Sequence, residues 1–322
     1  MKLTKIQNML MGIAIGDAFG AGYEFLEGGR ETVKTKFDFT KYDLHPKDGS
    51  ESTKLTEKGF LPAGHYTDDT QMSIAISELL LSDKEFNHLN LADSFVHCFK
   101  RDPKRAYAQR FREFLEDINS GQEFIEKIKP FSTRNGAAMR AVPLGIVKDL
   151  DKVIEYAKIS AELTHNTPQG IASSVCVAMT SHFFFHNPSY SSVFDYIEIP
   201  CREIDEESAN HFRKIESMVE EDPYLLFGDK WASRGVPCNG MRTAAAALYI
   251  INNFSENPKE ALRQAVLLGG DTDSTSAISL GVIAINNGIK NLPGFLFNDL
   301  TNHNYGRGYI LNLGKNLSSK FE

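Results

Sequence analysis

The sequence is poor in cysteine and nearly devoid of tryptophan. Its 322 residues contain one tryptophan and four cysteines, and no two cysteines form a Cys-x-x-Cys pair. Cysteines spaced this widely argue against a structural zinc site and against a disulfide framework. They fit a reducing compartment, and we expect a cytoplasmic protein. The four are Cys98, Cys176, Cys201 and Cys238.

Positive charge and long apolar runs are also scarce. There are 35 Lys and Arg against 42 Asp and Glu, so the formal net charge is −7, and no general affinity for nucleic acid or an anionic membrane is expected. The most apolar run, 175–185, is shorter than the ~18 residues that a membrane span requires. Near the N-terminus, Asp17 interrupts an apolar patch that has helical spacing. This patch predicts an amphipathic helix rather than a signal peptide.

Alternating patterns typical of β-strands are missing as well. We find no Gly-rich strand–turn–helix unit, no repeat and no linker, so the prediction is a single all-α domain over residues 1–322. Helical spacing predicts helices at 3–20, from 67 to about 81, and at 90–100, 107–118, 121–129, 137–149, 152–163, 168–186, 205–220, 241–253 and 258–268, with another in the apolar run 275–285. The segments 27–65, 187–204 and 222–240 are predicted to be irregular, and a loop as long as the first is more often functional than idle.

Two similar acidic clusters each open an apolar segment. Gly269-Gly270-Asp271-Thr272-Asp273-Ser274 precedes the apolar run 275–285, and Thr67-Asp68-Asp69-Thr70 stands about two hundred residues upstream. One acid would suffice to cap a helix, and for either cluster alone capping is the better interpretation. Together, with Asp17 and Glu24 beside glycines, they indicate that two helix N-termini meet and bind metal between them.

The ligand types restrict which metal this would be. Carboxylate and hydroxyl oxygens are hard ligands, and no clustered His or Cys accompanies them. Such a set selects Mg²⁺, Mn²⁺ or Ca²⁺ over Zn²⁺ or copper. Four aspartates could hold two ions with shared carboxylates. From the clusters alone, a two-metal phosphoesterase remains an alternative.

Taken together, these motifs resemble the signature of the ADP-ribosylglycohydrolase family, which includes the dinitrogenase-reductase-activating glycohydrolases. The first motif, Gly16-Asp17-x-x-Gly20-x-x-x-Glu24, is followed by the two acidic clusters in the family's order. Between the clusters, Asn135-Gly136-Ala137-Ala138-Met139-Arg140 resembles an Asn-Gly-x-Ala-Met-Arg element, and Thr164-His165 a Thr-His element. The resemblance runs from residue 12 to about 288. Ser274 stands where the family more often has Thr, and the helix after it has Ile285-Asn286-Asn287 in place of small residues.

The resemblance implies an all-α fold with a dinuclear magnesium cleft, in which Mn²⁺ could substitute. Carried over by position, the implied metal ligands are Thr67, Asp68, Asp69, Asp271, Asp273 and Ser274. Glu24 and Asp69 are the candidate catalytic residues: the metals would orient the distal ribose, and water activated by Glu24 or by metal would attack C1″. Asp17 either contacts substrate or positions other groups.

The remaining candidates are expected to bind the ADP-ribosyl group. Asn135 and Gly136 open a helix and could offer backbone N–H groups to the diphosphate. Arg140 would either contact phosphate or pair with an acid, and Phe131, Tyr23 and Trp231 could stack on adenine. The substrate-binding candidates are Asp17, Ser132, Asn135, Gly136, Met139 and His165.

The function predicted is the removal of ADP-ribose from modified proteins by a monomeric enzyme. The first motif looks more like the arginine-specific branch, so ADP-ribosyl-arginine is the predicted substrate and ADP-ribose the product. ADP-ribosyl-serine, O-acetyl-ADP-ribose and modified nucleic acid stay open as substrates. A catalytically silent relative that binds ADP-ribose is the non-enzymatic alternative.

Overall fold

The protein is described by a computed structural model over residues 2–44, 61–104 and 106–322, and within these ranges it is built from α-helices. The helices are α1 (Lys5–Gly20), α2 (Arg30–Lys36), α3 (Asp68–Leu81), α4 (His88–Arg101), α5 (Gln109–Asp117), α6 (Gly121–Lys127), α7 (Gly136–Met139), α8 (Leu150–His165), α9 (Pro168–His186), α10 (Val193–Ile204), α11 (Glu206–Ile215), α12 (Pro223–Phe227), α13 (Gly240–Phe254), α14 (Pro258–Leu267), α15 (Thr272–Asn287), α16 (Gly294–Asn298) and α17 (Arg307–Phe321). Short 3₁₀ turns occur at Ala21–Tyr23, Val142–Ile146 and Asp229–Trp231.

The all-α prediction is confirmed for the described ranges. Their backbone forms only two isolated β-bridges, between Phe131 and His165 and between Val236 and Gly270. None of the helices in these ranges is long and apolar enough to cross a membrane. The buried apolar side chains of α1, α3, α9, α13 and α15 belong to one continuous core.

Two predictions were wrong, one of a helix and one of an irregular segment, and each segment contains a proline. The predicted helix 137–149 is instead the short α7 followed by a 3₁₀ turn, in which Pro143 lacks an N–H. The segment 187–204 was predicted to be irregular but contains α10, capped by Ser192, with Pro200 inside the helix. Its Val193, Phe194 and Ile197 are buried, so tertiary burial outweighs the hydrogen bond that the proline removes.

Three further segments differ from the prediction, the first being 222–240, which was predicted to be irregular but contains α12. The polar stretch 27–65 contains α2, and its residues 45–60 lie outside the described residues. After residue 288 the chain forms α16 and α17, which the sequence patterns left unassigned. Helix α17 packs on α1, where the Gln7 amide donates to Leu311 O at 2.9 Å.

Helices α1 and α15 lie antiparallel and in close contact along one glycine stripe. Three glycines of α1, one per turn, face the α15 backbone. A Cβ added to Gly12, Gly16 or Gly20 would lie 2.6, 2.3 or 2.4 Å from a carbonyl oxygen of Leu280, Ser276 or Thr272, respectively. This approach brings the C-terminal end of α1, with Asp17, beside the N-terminal end of α15, with Asp271.

Replacing Gly16 by alanine is therefore expected to destabilise the protein. The added Cβ would meet backbone atoms, which cannot turn aside as a side chain could, and overpacking of this kind costs about 1–3 kcal/mol. Urea unfolding measures the loss. Gly294→Ala is the matched control, because its Cβ would have no heavy atom closer than 3.6 Å. Equal stability of the two variants would contradict the close packing of α1 on α15.

Candidate active site

Asp17 fixes the start of α3 against the end of α1. Its fully buried carboxylate accepts hydrogen bonds from Thr67 N at 2.9 and 3.0 Å, from Thr70 N at 2.9 Å and from Thr70 Oγ1 at 2.5 Å. Burial raises the pKa of Asp17 to about 6, although these hydrogen bonds oppose the rise. The hydrogen bonds to the Asp17 carboxylate thus hold the turn that carries Asp68 and Asp69.

The start of α15 is shaped by two glycines with left-handed backbone. Gly269 has φ +71° and Gly270 has φ +74°, and a Cβ on Gly270 would lie 2.1 Å from Val236 O. Val236 N donates to Gly269 O at 3.0 Å, and Asp271 N donates to Val236 O at 2.8 Å. Glycine is required here because an L-residue is strained at these angles. The turn aims Asp271 toward the end of α1.

Five carboxylates converge where these helix ends meet. Ligand atoms of Glu24, Asp271 and Asp273 lie within 4.8 Å of one another. Asp69, Asp271 and Asp273 are buried, whereas Glu24 and Asp68 are half-buried. The group of three within 4.8 Å contains no acid of α3, but the Asp69 carboxyl hydrogen-bonds Ser274 and is repelled by Asp271 and Asp273, so the start of α3 lies beside the start of α15.

The negative charges of the clustered carboxylates are stable only if a cation neutralises them. Burial first, and repulsion by neighbouring acids second, raises the pKa values of Asp69 and Asp273 well above the usual range and that of Asp68 to about 7. Among the described residues, no Lys or Arg forms an ion pair with these aspartates, and Asp69 Oδ1 is buried without a hydrogen-bond partner. Buried like charges are costly unless a counter-ion neutralises them. Hard oxygen donors with a spare buried lone pair fit a divalent metal ion.

Glu24 is placed in the cluster by the residue that follows it. Phe25 has φ +45°, which is uncommon for a bulky residue, and its N–H donates to Gly270 O at 2.9 Å. The bond ties Glu24 to the turn that carries Asp271. Backbone strain retained at such a position is typical of a functional site.

Two side chains orient Asp271 from the opposite side, and one of them was missed by sequence reasoning. The buried Asn135 amide donates from Nδ2 to Asp271 Oδ2 at 3.1 Å. The Cys238 thiol also hydrogen-bonds the Asp271 carboxyl and lowers its pKa, which burial and Glu24 raise. Burial in turn raises the pKa of Cys238 strongly. Only tertiary packing reveals Cys238, because it stands alone in a loop before α13.

The other predicted substrate residues surround Asn135. A Cβ on Gly136 would lie 2.7 Å from His165 Cε1, and Ser132 Oγ accepts from Arg134 N at 3.1 Å. The buried His165 shares a 2.6 Å hydrogen bond with Thr164 Oγ1, and burial lowers its pKa to about 3, so the ring is neutral. Met139 packs in the core.

Arg140 and Tyr23 do not have the predicted roles. Arg140 is 1% exposed, donates to Ser160 O at 2.6 Å and to Thr164 Oγ1 at 2.7 Å, and lies over the Phe95 ring. It is therefore enclosed by neutral partners and inaccessible to a phosphate, and it forms no ion pair with an acid of the described residues. The Tyr23 ring is fully buried, and its hydroxyl donates to Asp38 O at 3.1 Å, so it has no face free for adenine. Phe131 is 74% exposed.

Fold and site together define an all-helical protein with a largely buried carboxylate cluster, able to hold metal, at the N-terminal end of α15. The sequence matches the ADP-ribosylglycohydrolase family profile over residues 2–322. The chain belongs to this family of glycosidase-type hydrolases, and the predicted resemblance is confirmed.

Individual relatives are distant but similar along most of their length. ADP-ribosylhydrolase ARH3 of Xenopus tropicalis is 25% identical, with 90% of this chain and 89% of the relative covered. ADP-ribosyl-[dinitrogen reductase] glycohydrolase of Rhodospirillum rubrum is also 25% identical, with 88% and 85% covered. A solved structure titled ADP-ribosylglycohydrolase-related protein complex superposes with a TM-score of 0.67 at 21% identity, covering 99% of this chain and 98% of that one. This structural likeness supports the fold.

Proposed function

We propose that this protein is a magnesium-dependent hydrolase that removes ADP-ribose from modified arginine side chains of proteins. The observation that carries the proposal is the convergence of Glu24 with Asp271 and Asp273, whose ligand atoms lie within 4.8 Å of one another. A structural cap would need one such acid, and a surface cluster would not be buried. Family membership supplies the class of bond that is cleaved.

Six residues would hold the metal, as two Mg²⁺ ions for which Mn²⁺ could substitute. All six offer oxygen donors, the ligands that Mg²⁺ prefers. When bound, the ions supply positive charge that binds and orients the distal ribose through its 2″- and 3″-hydroxyls. The proposed ligands are Thr67, Asp68, Asp69, Asp271, Asp273 and Ser274.

Glu24 is the proposed proton carrier. It would take one proton from the attacking water as the new C1″–O bond forms, and deliver a proton to the guanidine nitrogen as the C1″–N bond breaks. The products are ADP-ribose and unmodified arginine, with one water consumed. Asp69 is the second proposed catalytic acid of the cleft. Asp17 positions the turn that carries Asp69.

Ser132, Asn135, Gly136, Met139 and His165 are proposed to form the ADP-ribose side of the cleft. They lie on the segment 132–139 and at the end of α8, which the Phe131–His165 bridge joins. Asn135 reaches Asp271 directly, so this surface continues from the carboxylate cluster. A neutral His165 adds no charge to the site.

Arginine is the proposed leaving group because the motif Gly16-Asp17-Ala18-x-Gly20-x-x-x-Glu24-Phe25 resembles that of the arginine-specific branch.

Hydrolysis of defined arginine-linked and serine-linked substrates, compared side by side, tests the proposal. We expect Mg²⁺-dependent release of ADP-ribose mainly from the arginine conjugate, with activity lost in a chelator and restored by Mg²⁺ or Mn²⁺. Dominant release from serine would overturn the linkage alone. No release from either substrate would overturn the enzymatic function.

The wider setting of the enzyme is also proposed. Residues 1–322 would act as one domain and as a monomer on ADP-ribosylated protein in the cytoplasm. The four cysteines are free thiols, which fits a reducing compartment, and the net charge of −7 disfavours nucleic acid as a partner.

A further inference from the structure

A partly exposed aromatic pair, Phe25 and Trp231, follows Glu24 in the fold. Phe25 is 37% exposed and Trp231 is half-buried, and their ring centroids lie 6.0 Å apart in an edge-on arrangement. Phe25 is the residue after Glu24, so the pair stands next to the proposed proton carrier. We call Phe25 and Trp231 the acceptor wall.

The acceptor wall is held by the same turn that positions the metal-binding residues. Phe25 N donates to Gly270 O, one residue before Asp271. Trp231 sits on a 3₁₀ turn of the loop that leads to Val236, and Val236 N donates to Gly269 O at 3.0 Å. The two rings are thus fixed relative to the carboxylate cluster from two directions.

Helix α2 clamps this loop from its other side. Arg30 N donates to Ser233 O at 3.1 Å, and Arg30 Nε donates to Leu268 O at 3.0 Å. The guanidinium of Arg30 also forms an ion pair with Glu221. An aromatic surface this well supported, yet left partly exposed, is suited to contact a ligand.

A contact within the protein indicates which chemical group the Trp231 ring can bind. The guanidinium carbon of Arg234 lies 5.7 Å from the Trp231 ring centroid, and the Arg234 side chain is exposed. A planar cation is attracted to an aromatic face within about 6 Å, and tryptophan is the best such partner. Arg234 is therefore a resident guanidinium that a substrate guanidinium would have to displace or lie beside.

We propose that Phe25 and Trp231 form the subsite for the acceptor side chain and stack on the guanidinium of an ADP-ribosylated arginine, while Arg234 competes for the same surface. This inference rests on the proposed function and adds its specificity-determining residues. Arg234 weakens binding of cationic acceptors because it places a like charge at the subsite.

Two substitutions should change arginine-linked hydrolysis in opposite directions. Trp231→Ala is expected to lower kcat/KM for the arginine conjugate by about 3- to 30-fold, the range that one cation–aromatic contact supplies, mainly through KM. Arg234→Ala is expected to raise the same kcat/KM, whereas Arg234→Lys keeps the charge and should resemble the unchanged protein. Neither Trp231→Ala nor Arg234→Ala should alter the hydrolysis of a serine conjugate or the binding of ADP-ribose.

Matched controls separate this role from a structural one. Tyr224→Ala removes a 65% exposed aromatic residue of the neighbouring α12 outside the wall and should leave both substrates unaffected. Should Trp231→Ala unfold, Phe25→Leu tests the same wall. The proposal would be overturned if Trp231→Ala lowered kcat/KM equally for the arginine and serine conjugates. It would also be overturned if Arg234→Ala lowered kcat/KM for the arginine conjugate.

A binding measurement keeps this inference separate from the proposed function. Calorimetry of arginine amide with the Mg²⁺- and ADP-ribose-bound protein requires no turnover. Binding that Trp231→Ala weakens would support the wall even if hydrolysis were absent. Binding that is undetectable, or unchanged in Trp231→Ala, would overturn the wall even if hydrolysis were present.

Discussion

Replacing Glu24 by glutamine should lower kcat for ADP-ribose release by about a thousandfold, within the range that a general acid–base contributes. Glutamine keeps the size of the side chain but has no carboxylate to accept the proton of water. The six proposed metal ligands are untouched, so ADP-ribose and Mg²⁺ should still bind, with Mg²⁺ bound more weakly because Glu24 is one of the three acids whose ligand atoms lie within 4.8 Å of one another. Steady-state kinetics combined with calorimetry of both ligands measures the separation.

Glu27→Gln is the matched control for this substitution. Glu27 is an exposed glutamate three residues downstream, outside the 4.8 Å cluster. The substitution Glu27→Gln removes the same charge as Glu24→Gln and should leave kcat unchanged. If Glu24→Gln kept a tenth or more of the original kcat, the proton carrier would have to be another residue.

Replacing Asp273 by asparagine should abolish both activity and stabilisation by Mg²⁺, yet make the metal-free protein more stable. Burial and the neighbouring Glu24 and Asp69 raise the pKa of Asp273 well above the usual range, so its ionised form is disfavoured in the fold. Because the folded-state pKa exceeds the unfolded one, the free energy of unfolding falls as pH rises from the unfolded-state pKa to the folded-state pKa, and the loss is complete above the folded-state pKa. Asparagine removes that cost but is a weaker metal ligand.

Thermal unfolding with and without Mg²⁺ measures both effects. At a hundredfold excess over its dissociation constant, a ligand stabilises by about 2.7 kcal/mol, which corresponds to roughly 5 °C in a chain of this size. The unchanged protein should show this shift and Asp273→Asn should not. Asp229→Asn, an exposed acid, is the control. A Mg²⁺ shift of normal size in Asp273→Asn would contradict a metal role for this residue.

Local patterns predicted much of the helical fold because helices obey short-range rules. The 3.6-residue spacing of apolar side chains located α1, α3 and α9, which are continuous and well capped. The same rules failed at α10, which was predicted to be irregular, and in 137–149, where a helix was predicted across Pro143, because burial against the rest of the chain decides whether a helix forms around a proline. The predictions for Arg140 and Tyr23 failed because the sequence does not show that both side chains are buried in the fold.

The sequence by itself determined which residues are chemically equipped for the site: two acidic helix starts, Glu24, and glycines where the backbone needs them. Tertiary structure alone decided how they meet. The glycine stripe of α1 admits α15 at backbone contact, and the four hydrogen bonds to Asp17 then bring α3 to the same point. Tertiary contacts also determine where Cys238 and Trp231 lie. Their neighbours in space are remote in the chain, so no local sequence pattern predicts these contacts.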